Sequence, residues 1–307
     1  MNKKRNFAFW KIIAALVITI IASDLIWYFF IVDVNQLKTK NPGKTAFMKY
    51  REKQWKKKKR SIRIQQEWVT LGAISTDARR AVVVAEDAKF WKHEGFDFEA
   101  MHNAIEKDFK KRKLAVGAST ISMQVAKNMF LSPSKTPVRK INEAILTWRM
   151  EKMLTKKRIL ELYLNIAEWG DGIFGIEAAS RTYFYHSAAL LNKNEAALLA
   201  AVLPNPIRFN PLKNSRFVKR RSHLILRAIG GDVHAAVALH SIDNSMKPQT
   251  ADTATVPLND SLNADVQDTS HTVISETDSV IKTVPIQDSL SVNIQDSSHA
   301  ATDKEEN

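Results

Sequence analysis

Between Ile12 and Val32 the chain reads IIAALVITIIASDLIWYFFIV, 21 residues with one charge, Asp24. At about 1.5 Å per residue, a helix of this length crosses the roughly 30 Å hydrocarbon core of a bilayer. Lys3, Lys4 and Arg5 precede it and would also suit a secretory signal. The apolar character, however, continues past Ser23 through Leu25-Ile-Trp-Tyr-Phe-Phe30 with no small-x-small exit. The reading is an uncleaved transmembrane helix over 12–32, with residues 1–11 cytoplasmic and the remainder outside. The basic stretch from Lys38 to Arg60 pulls against that orientation by the same rule. Asp24 would cost about 3 kcal/mol at the bilayer centre and less toward an end. It is expected to be a tolerated polar residue near the outer interface, with a helix–helix contact or a functional site as the lesser alternative.

The net charge of +14 is unevenly divided: Ala251 to Asn307 holds eleven Asp and Glu against two Lys, so residues 1–250 carry +23. So basic a region expects an anionic partner: nucleic acid, an acidic membrane surface or a phosphate-bearing ligand. An outward-facing anchored domain rarely meets nucleic acid, which leaves the other two. The chain has no cysteine, which excludes a disulfide framework and a thiolate metal site.

Residues 33–61 read as a basic juxtamembrane segment, with a turn at Asn41-Pro-Gly43 and a charge run over Lys56–Arg60. That run is either a solvated face or a contact with anionic headgroups, worth about 1 kcal/mol per charge. A globular, mainly α part is expected over 62–235. Thr136-Pro137 is an N-cap followed by proline at the first helical position, with Ile141, Ile145 and Trp148 at helical spacing after it. Thr155 caps the next helix, whose buried side is Ile159, Leu160, Tyr163 and Leu164. Asp171-Gly172 breaks the chain, Ile176–Phe184 resumes a helix, and Asn194 is expected to cap an Ala/Leu-rich helix ended by Pro204-Asn-Pro206. The best strand candidates are Ile62-Arg-Ile64 and Trp68-Val-Thr70. Residues 246–307 turn to Ser, Thr, Asp and Val with irregular echoes such as Ile286-Gln-Asp and Ile294-Gln-Asp. So polar a segment buries too little to offset its ordering entropy, and a disordered acidic tail is expected.

Three patches carry chemistry. Glu86-Asp87-Ala-Lys-Phe90-Trp-Lys-His93-Glu-Gly95 opens on a carboxylate pair, which by itself is usually a helix-start pair. Ser119, Thr120, Gln124, Lys127 and Asn128 form a polar face on an otherwise apolar segment, by default the wet side of an amphipathic helix. Arg139-Lys140-Ile-Asn-Glu143 sets a guanidinium four residues before a carboxylate, by default an ion pair of about 0.3–0.5 kcal/mol. Taken together and in this order, an acidic pair flanking a Ser/Thr/Gln/Lys platform suits deprotonation of a hydroxyl while a phosphate departs. The attacking hydroxyl needs a carboxylate within reach, and the leaving phosphate needs cations or donors.

The set resembles the peptidoglycan glycosyltransferases, of the monofunctional biosynthetic kind. Lys157-Arg-Ile-Leu-Glu161-Leu-Tyr163-Leu-Asn165 and Gly175-Ile-Glu177-Ala-Ala-Ser-Arg-Thr-Tyr183-Phe184 extend the likeness over about residues 65–230. The resemblance implies a lysozyme-like, mainly α glycosyltransferase domain with one N-terminal transmembrane helix and a disordered C-terminal tail. It implies polymerisation of glycan strands from lipid II, with the growing undecaprenyl-pyrophosphate-linked glycan as donor. Glu86 maps to the general base, and Glu143 to the carboxylate near the donor phosphates. Ser119, Thr120, Gln124, Lys127, Asn128, Lys135, Arg139 and Lys140 map to sugar and pyrophosphate binding. Mg2+ or Mn2+ at Glu143 is allowed for, and no organic cofactor. Glu161, Tyr163 and Asn165 are expected to pack the fold behind the cleft, and Asp87, Phe90, His93 and Gly95 to shape the first motif.

Ala118, Met123 and Lys135 stand where glycine, glutamine and arginine are commoner; Lys135 keeps charge but loses the bidentate fork. The basic run Lys107–Lys113 falls where the resemblance places a mobile flap, and is either a solvated helix end or a phosphate or lipid contact. Ser132-Pro-Ser-Lys135 matches the Ser-x-x-Lys of transpeptidases, but no Lys-Thr-Gly follows, so separate transpeptidases are expected as partners. Two rivals stand beside this reading: a lytic enzyme in which Glu86 is a general acid, and a membrane-anchored scaffold for wall-synthesis proteins.

Overall fold

The computed structural model describes residues 3–111, 119–134, 136–213 and 215–246. Lys135, the end of the basic run from Arg112 onward, and the expected tail from residue 247 lie outside the described residues.

The helices are α1 (Lys3–Ile26), α2 (Ala46–Lys57), α3 (Thr76–Glu86), α4 (Phe98–Lys111), α5 (Ile121–Phe130), α6 (Pro137–Met153), α7 (Lys156–Ile166), α8 (Ile176–Phe184), α9 (Lys193–Val202), α10 (Arg216–Ile229) and α11 (Val233–Met246). Among the described residues there are also three short strands, β1 (Gln65–Gln66), β2 (Glu168–Gly170) and β3 (Ile173–Phe174).

Side-chain hydroxyls start most of the helices near the site. Thr45, Ser75, Thr120, Thr136 and Thr155 each accept a backbone N–H from the first turn of α2, α3, α5, α6 and α7, each cap contributing about 1 kcal/mol. Thr136-Pro137 and Thr155 act as the sequence predicts. The cap of α9 is Asn192 rather than Asn194: its carboxamide accepts from the Asn194 and Glu195 N–H groups, and Glu195 reaches back to the Asn192 N–H. The reciprocal box satisfies two orphan donors, which a cap at Asn194 would leave open.

The strands also differ from expectation. Gln65 and Gln66 pair parallel to β3, and β2 pairs antiparallel to it in the order β1-β3-β2. Ile62 and Ile64 instead pack with Met48, Trp55 and Phe174 in a small second core. Asp171-Gly172 is the turn between β2 and β3. Gly172 has φ +89°, and a Cβ there would meet Ile62 Cγ2 at 2.7 Å.

Ordered packing begins well before residue 62. On α2, Arg51 donates to Glu168 at 3.0 Å and to Asp171 at 2.7 Å, and Trp55 Nε1 donates to Asp171 at 2.9 Å. Burial pushes the Glu168 carboxyl above its ordinary pKa, with Arg51 working the other way. At the other end, α11 continues past residue 235 and packs on α10.

The main core surrounds the C-terminal part of α7, whose residues from Ile159 to Ile166 are nearly all buried, and the polar Glu161 and Asn165 among them are hydrogen-bonded. α5 packs against α6 and α7, while α3 and α10 pack against α9. Residues Trp10–Lys38 are long and apolar enough to cross a membrane, and none of the most apolar window is buried in the protein. α1 ends in a π-helical turn, Trp27–Ile31.

Candidate active site

Glu86 is the last residue of α3, with Asp87 as its C-cap, rather than the start of a helix. A carboxylate at a helix C-terminus stands against the helix dipole, so its position needs compensation from elsewhere. Arg221 supplies it. Its Nη2 lies 3.2 Å from Glu86 Oε1 and 3.2 Å from the Ala85 carbonyl, one of the orphan acceptors of the same helix end. The second carboxylate oxygen accepts from Gln124 Nε2 at 2.9 Å. Tyr163 Oη lies 3.5 Å from Gln124 Oε1. Arg221 is fully buried, and the Glu86 side chain keeps 13 % of its surface exposed, so solvent or a substrate reaches this pair only through the carboxylate.

The environment is low in dielectric. Burial raises the Tyr163 phenol well above its ordinary pKa, and the neighbouring Glu86 charge adds to that. Burial also lowers the pKa of the Arg221 guanidinium, with Glu86 and Tyr163 acting against it.

Asp87 builds the floor. It accepts from the Ile121 N–H at 3.0 Å, at the start of α5, and from His93 Nε2 at 2.9 Å. Gly95 N–H donates to His93 Nδ1 at 3.1 Å, so Nδ1 is the bare nitrogen and Nε2 carries the hydrogen. His93 thus ties Asp87 to the Gly95 turn. Gly95 has φ +91°, and a Cβ there would meet Glu151 Cγ at 2.9 Å. Glu151 is itself bonded by Ser122 and Lys156.

Thr120 departs from its expected role. Its hydroxyl is buried, donates to the Gly95 carbonyl at 2.6 Å and accepts from the Met123 N–H at 3.2 Å. It therefore joins the first motif to α5 from inside, because the cap geometry turns it away from solvent. Ser119 just before it is partly exposed. On α5, Gln124, Lys127 and Asn128 are partly exposed while Ile121, Ser122, Met123, Val125, Ala126 and Met129 are buried, so the polar face stands as one surface.

Glu143 anchors a second cluster. Its oxygens accept from Arg139 Nη1 and Lys140 Nζ, and the carboxylate is buried. One carboxylate already facing two cations does not by itself fit a resident Mg2+ or Mn2+ ion. Among the described residues no group of three or more His, Asp or Glu could hold a metal. Glu161 and Asn165 serve the fold: Glu161 accepts from the Leu71 N–H at 2.8 Å, and Asn165 bonds Val69 in both directions at 2.9 Å.

Sequence reasoning missed Arg221. A signal was present: on α10, Val218, Arg221, Ser222 and Ile225 form the buried stripe, so an arginine sits in the apolar register. Beside Lys219 and Arg220 it reads as part of a solvated charge run.

A family model described as Transglycosylase matches residues 53–230, more than half of the chain. The chain belongs to the transglycosylase family. Among curated relatives, the biosynthetic peptidoglycan transglycosylase of Methylobacillus flagellatus is 45 % identical over 185 residues, covering 60 % of this chain and 81 % of that protein. The protein of the same name from Chromobacterium violaceum is 41 % identical over 218 residues, covering 71 % and 94 %. That of Herminiimonas arsenicoxydans is 37 % identical over 230 residues, covering 75 % and 98 %. The transglycosylase match contains both carboxylate clusters and Arg221.

Proposed function

We propose that this transglycosylase polymerises peptidoglycan glycan strands from lipid II and carries no transpeptidase activity. The acceptor's 4-hydroxyl attacks the anomeric carbon of the growing glycan, and the bond from that carbon to the undecaprenyl pyrophosphate breaks. The hydroxyl proton passes to Glu86, the pyrophosphate leaves with the bonding electron pair, and a β-1,4 linkage forms with inversion. Arg139, Lys140, Lys127 and Lys135 balance the leaving charge, with Glu143 holding the first two in place. Ser119, Gln124 and Asn128 contribute sugar and phosphate contacts. A divalent ion such as Mg2+ or Mn2+ would supply further positive charge to the leaving pyrophosphate, but Glu143, whose oxygens already face Arg139 and Lys140, would not by itself hold it.

The observation that carries this reading is the setting of Glu86: both oxygens accept hydrogen bonds, from Gln124 and Arg221, while part of the carboxylate stays open. That arrangement suits a group that takes a proton rather than one that delivers it, which favours transfer over the lytic alternative. The cationic cluster at Glu143 supports a phosphate leaving group. The chain would be held in the cytoplasmic membrane by residues 12–32, with 1–11 cytoplasmic and the catalytic part, 62–235, outside. Transpeptidases would then cross-link its product.

The test is polymerisation of fluorescent lipid II by the detergent-solubilised protein beside Glu86→Gln and Glu143→Gln. Glu86→Gln should lower kcat by about 10²- to 10⁴-fold while still binding substrate, and Glu143→Gln should weaken substrate binding as well. Absence of polymer from the wild type, with purified wall cut into fragments, would overturn the reading in favour of a lytic enzyme.

A further inference from the structure

The membrane anchor is bonded to the catalytic part by side chains along its outer half. Asn142 Nδ2 on α6 donates to Asp24 Oδ2 at 2.5 Å. In the π-helical turn, where carbonyls run out of helical partners, the Tyr28 carbonyl accepts from Arg149 Nη1 at 2.7 Å. Phe29 stacks on Trp148 with ring centroids 6.1 Å apart. Further out, the Leu37 carbonyl accepts from Arg158 Nε at 2.8 Å. Asp24 meets Asn142 near one end of α6 while Tyr28 and Phe29 meet Arg149 and Trp148 about two turns further on, so contacts at two levels hold α6 in one register against the anchor. Asp24 is therefore in a helix–helix contact, where the sequence favoured a merely tolerated polar residue.

Asn142 is buried and immediately precedes Glu143. We propose that Asp24 is a positioning residue for the reaction. Through Asn142 it holds α6 at one depth and one rotation beside the anchor, so that Arg139, Lys140 and Glu143 meet a lipid-linked pyrophosphate at the membrane surface. The proposal rests on the polymerase reading for its substrate. An anchor that served only as a tether would need no polar group in this segment, and a carboxylate there is costly unless it has a partner. That cost is what makes the contact selective: sliding or rotating α1 strips Asp24 of Asn142, whereas leucine in its place would accept many registers.

The experiment compares the full-length wild type, Asp24→Asn and Asp24→Leu in bilayers, measuring KM and kcat for lipid II. Because the chain has no cysteine, a nitroxide on Ile141→Cys, an exposed position on α6, reports the depth of α6 in each background. Asp24→Leu should raise KM roughly 3- to 20-fold, the range an intramembrane hydrogen bond supports, with kcat nearly unchanged and the label's depth altered. Asp24→Asn keeps an acceptor oxygen and should restore both readouts. Wild-type KM and label depth in Asp24→Leu would overturn the proposal. So would a loss of kcat at constant KM and depth, or an Asp24→Asn protein as impaired as Asp24→Leu. A wild type that makes no polymer would sink the polymerase reading instead, and the label would still decide whether Asp24 sets the position of α6.

Discussion

A single nitrogen of Arg221, Nη2, bridges the Glu86 carboxylate and the carbonyl of Ala85, at 3.2 Å from each. It thus caps the C-terminus of α3 and orients the acid at that end in one contact. The arginine comes from α10, 135 residues along the chain from Glu86.

Arg221→Met should be the most damaging single change outside the two glutamates. Removing one partner of a buried ion pair costs about 3–5 kcal/mol, and the lower end applies because Glu86 retains Gln124 and some solvent. Thermal unfolding should show the loss, and polymerisation should fall by at least about 10²-fold. Arg221→Met combined with Glu86→Gln should be less destabilised than Arg221→Met alone, since no charge is then left unpaired. Equal destabilisation would show that Arg221 acts through packing only.

Tyr163 sets an alkaline limit. Burial holds its phenol protonated well above the ordinary range, so the folded state keeps a proton that the unfolded state releases. The resulting stability is complete below the unfolded pKa of about 10 and is lost as pH rises toward the folded value. A spectroscopic titration should find one tyrosine that ionises only on unfolding. Tyr163→Phe should flatten the stability loss above about pH 10, while its neutral-pH activity changes by less than about fivefold for so long a hydrogen bond.

His186 has the opposite kind of group and the same direction of dependence. Nδ1 faces the Ser187 carbonyl at 3.0 Å and Nε2 faces Glu195 at 3.2 Å. Two acceptors call for two donors, so the imidazolium is favoured and its pKa raised, by Ser187 first and Glu195 second. The contribution is fully present below the unfolded pKa of about 6.5 and disappears as pH rises through the folded value. NMR titration should place His186 above an ordinary histidine, and His186→Gln should flatten thermal stability over that window.

Gly95→Ala should disturb the floor without touching a reacting group. The positive φ and the 2.9 Å approach to Glu151 Cγ predict a loss of about 1–3 kcal/mol. The strain should displace the N–H of residue 95 from His93 Nδ1, visible as a shifted imidazole resonance. An alanine variant as stable as wild type would mean that Glu151, and Thr147 whose Cγ2 lies 3.0 Å from the same Cβ position, make room.

Much of the architecture could be read locally. Thr136-Pro137 and Thr155 announce helix starts because a cap depends only on its own first turn, and Gln124, Lys127 and Asn128 share a face by helical periodicity alone. Asn194 failed as a cap because the competing Asn192 has Glu195 at the right offset. The strands failed because two-residue β1 is defined by pairing with β3, a partner more than a hundred residues away.

From its sequence alone, then, the chain determined a membrane-length apolar helix, a mainly helical basic body, its helix starts and the two glutamate motifs, since hydrophobic pattern, caps and motif spacing are short-range properties. Tertiary structure alone decided that Arg221 is buried against Glu86, that Thr120 faces inward and that Asp24 meets Asn142. Each of those depends on where distant helices come to lie, and a charged side chain reads as solvated until a partner from elsewhere in the fold takes the place of water.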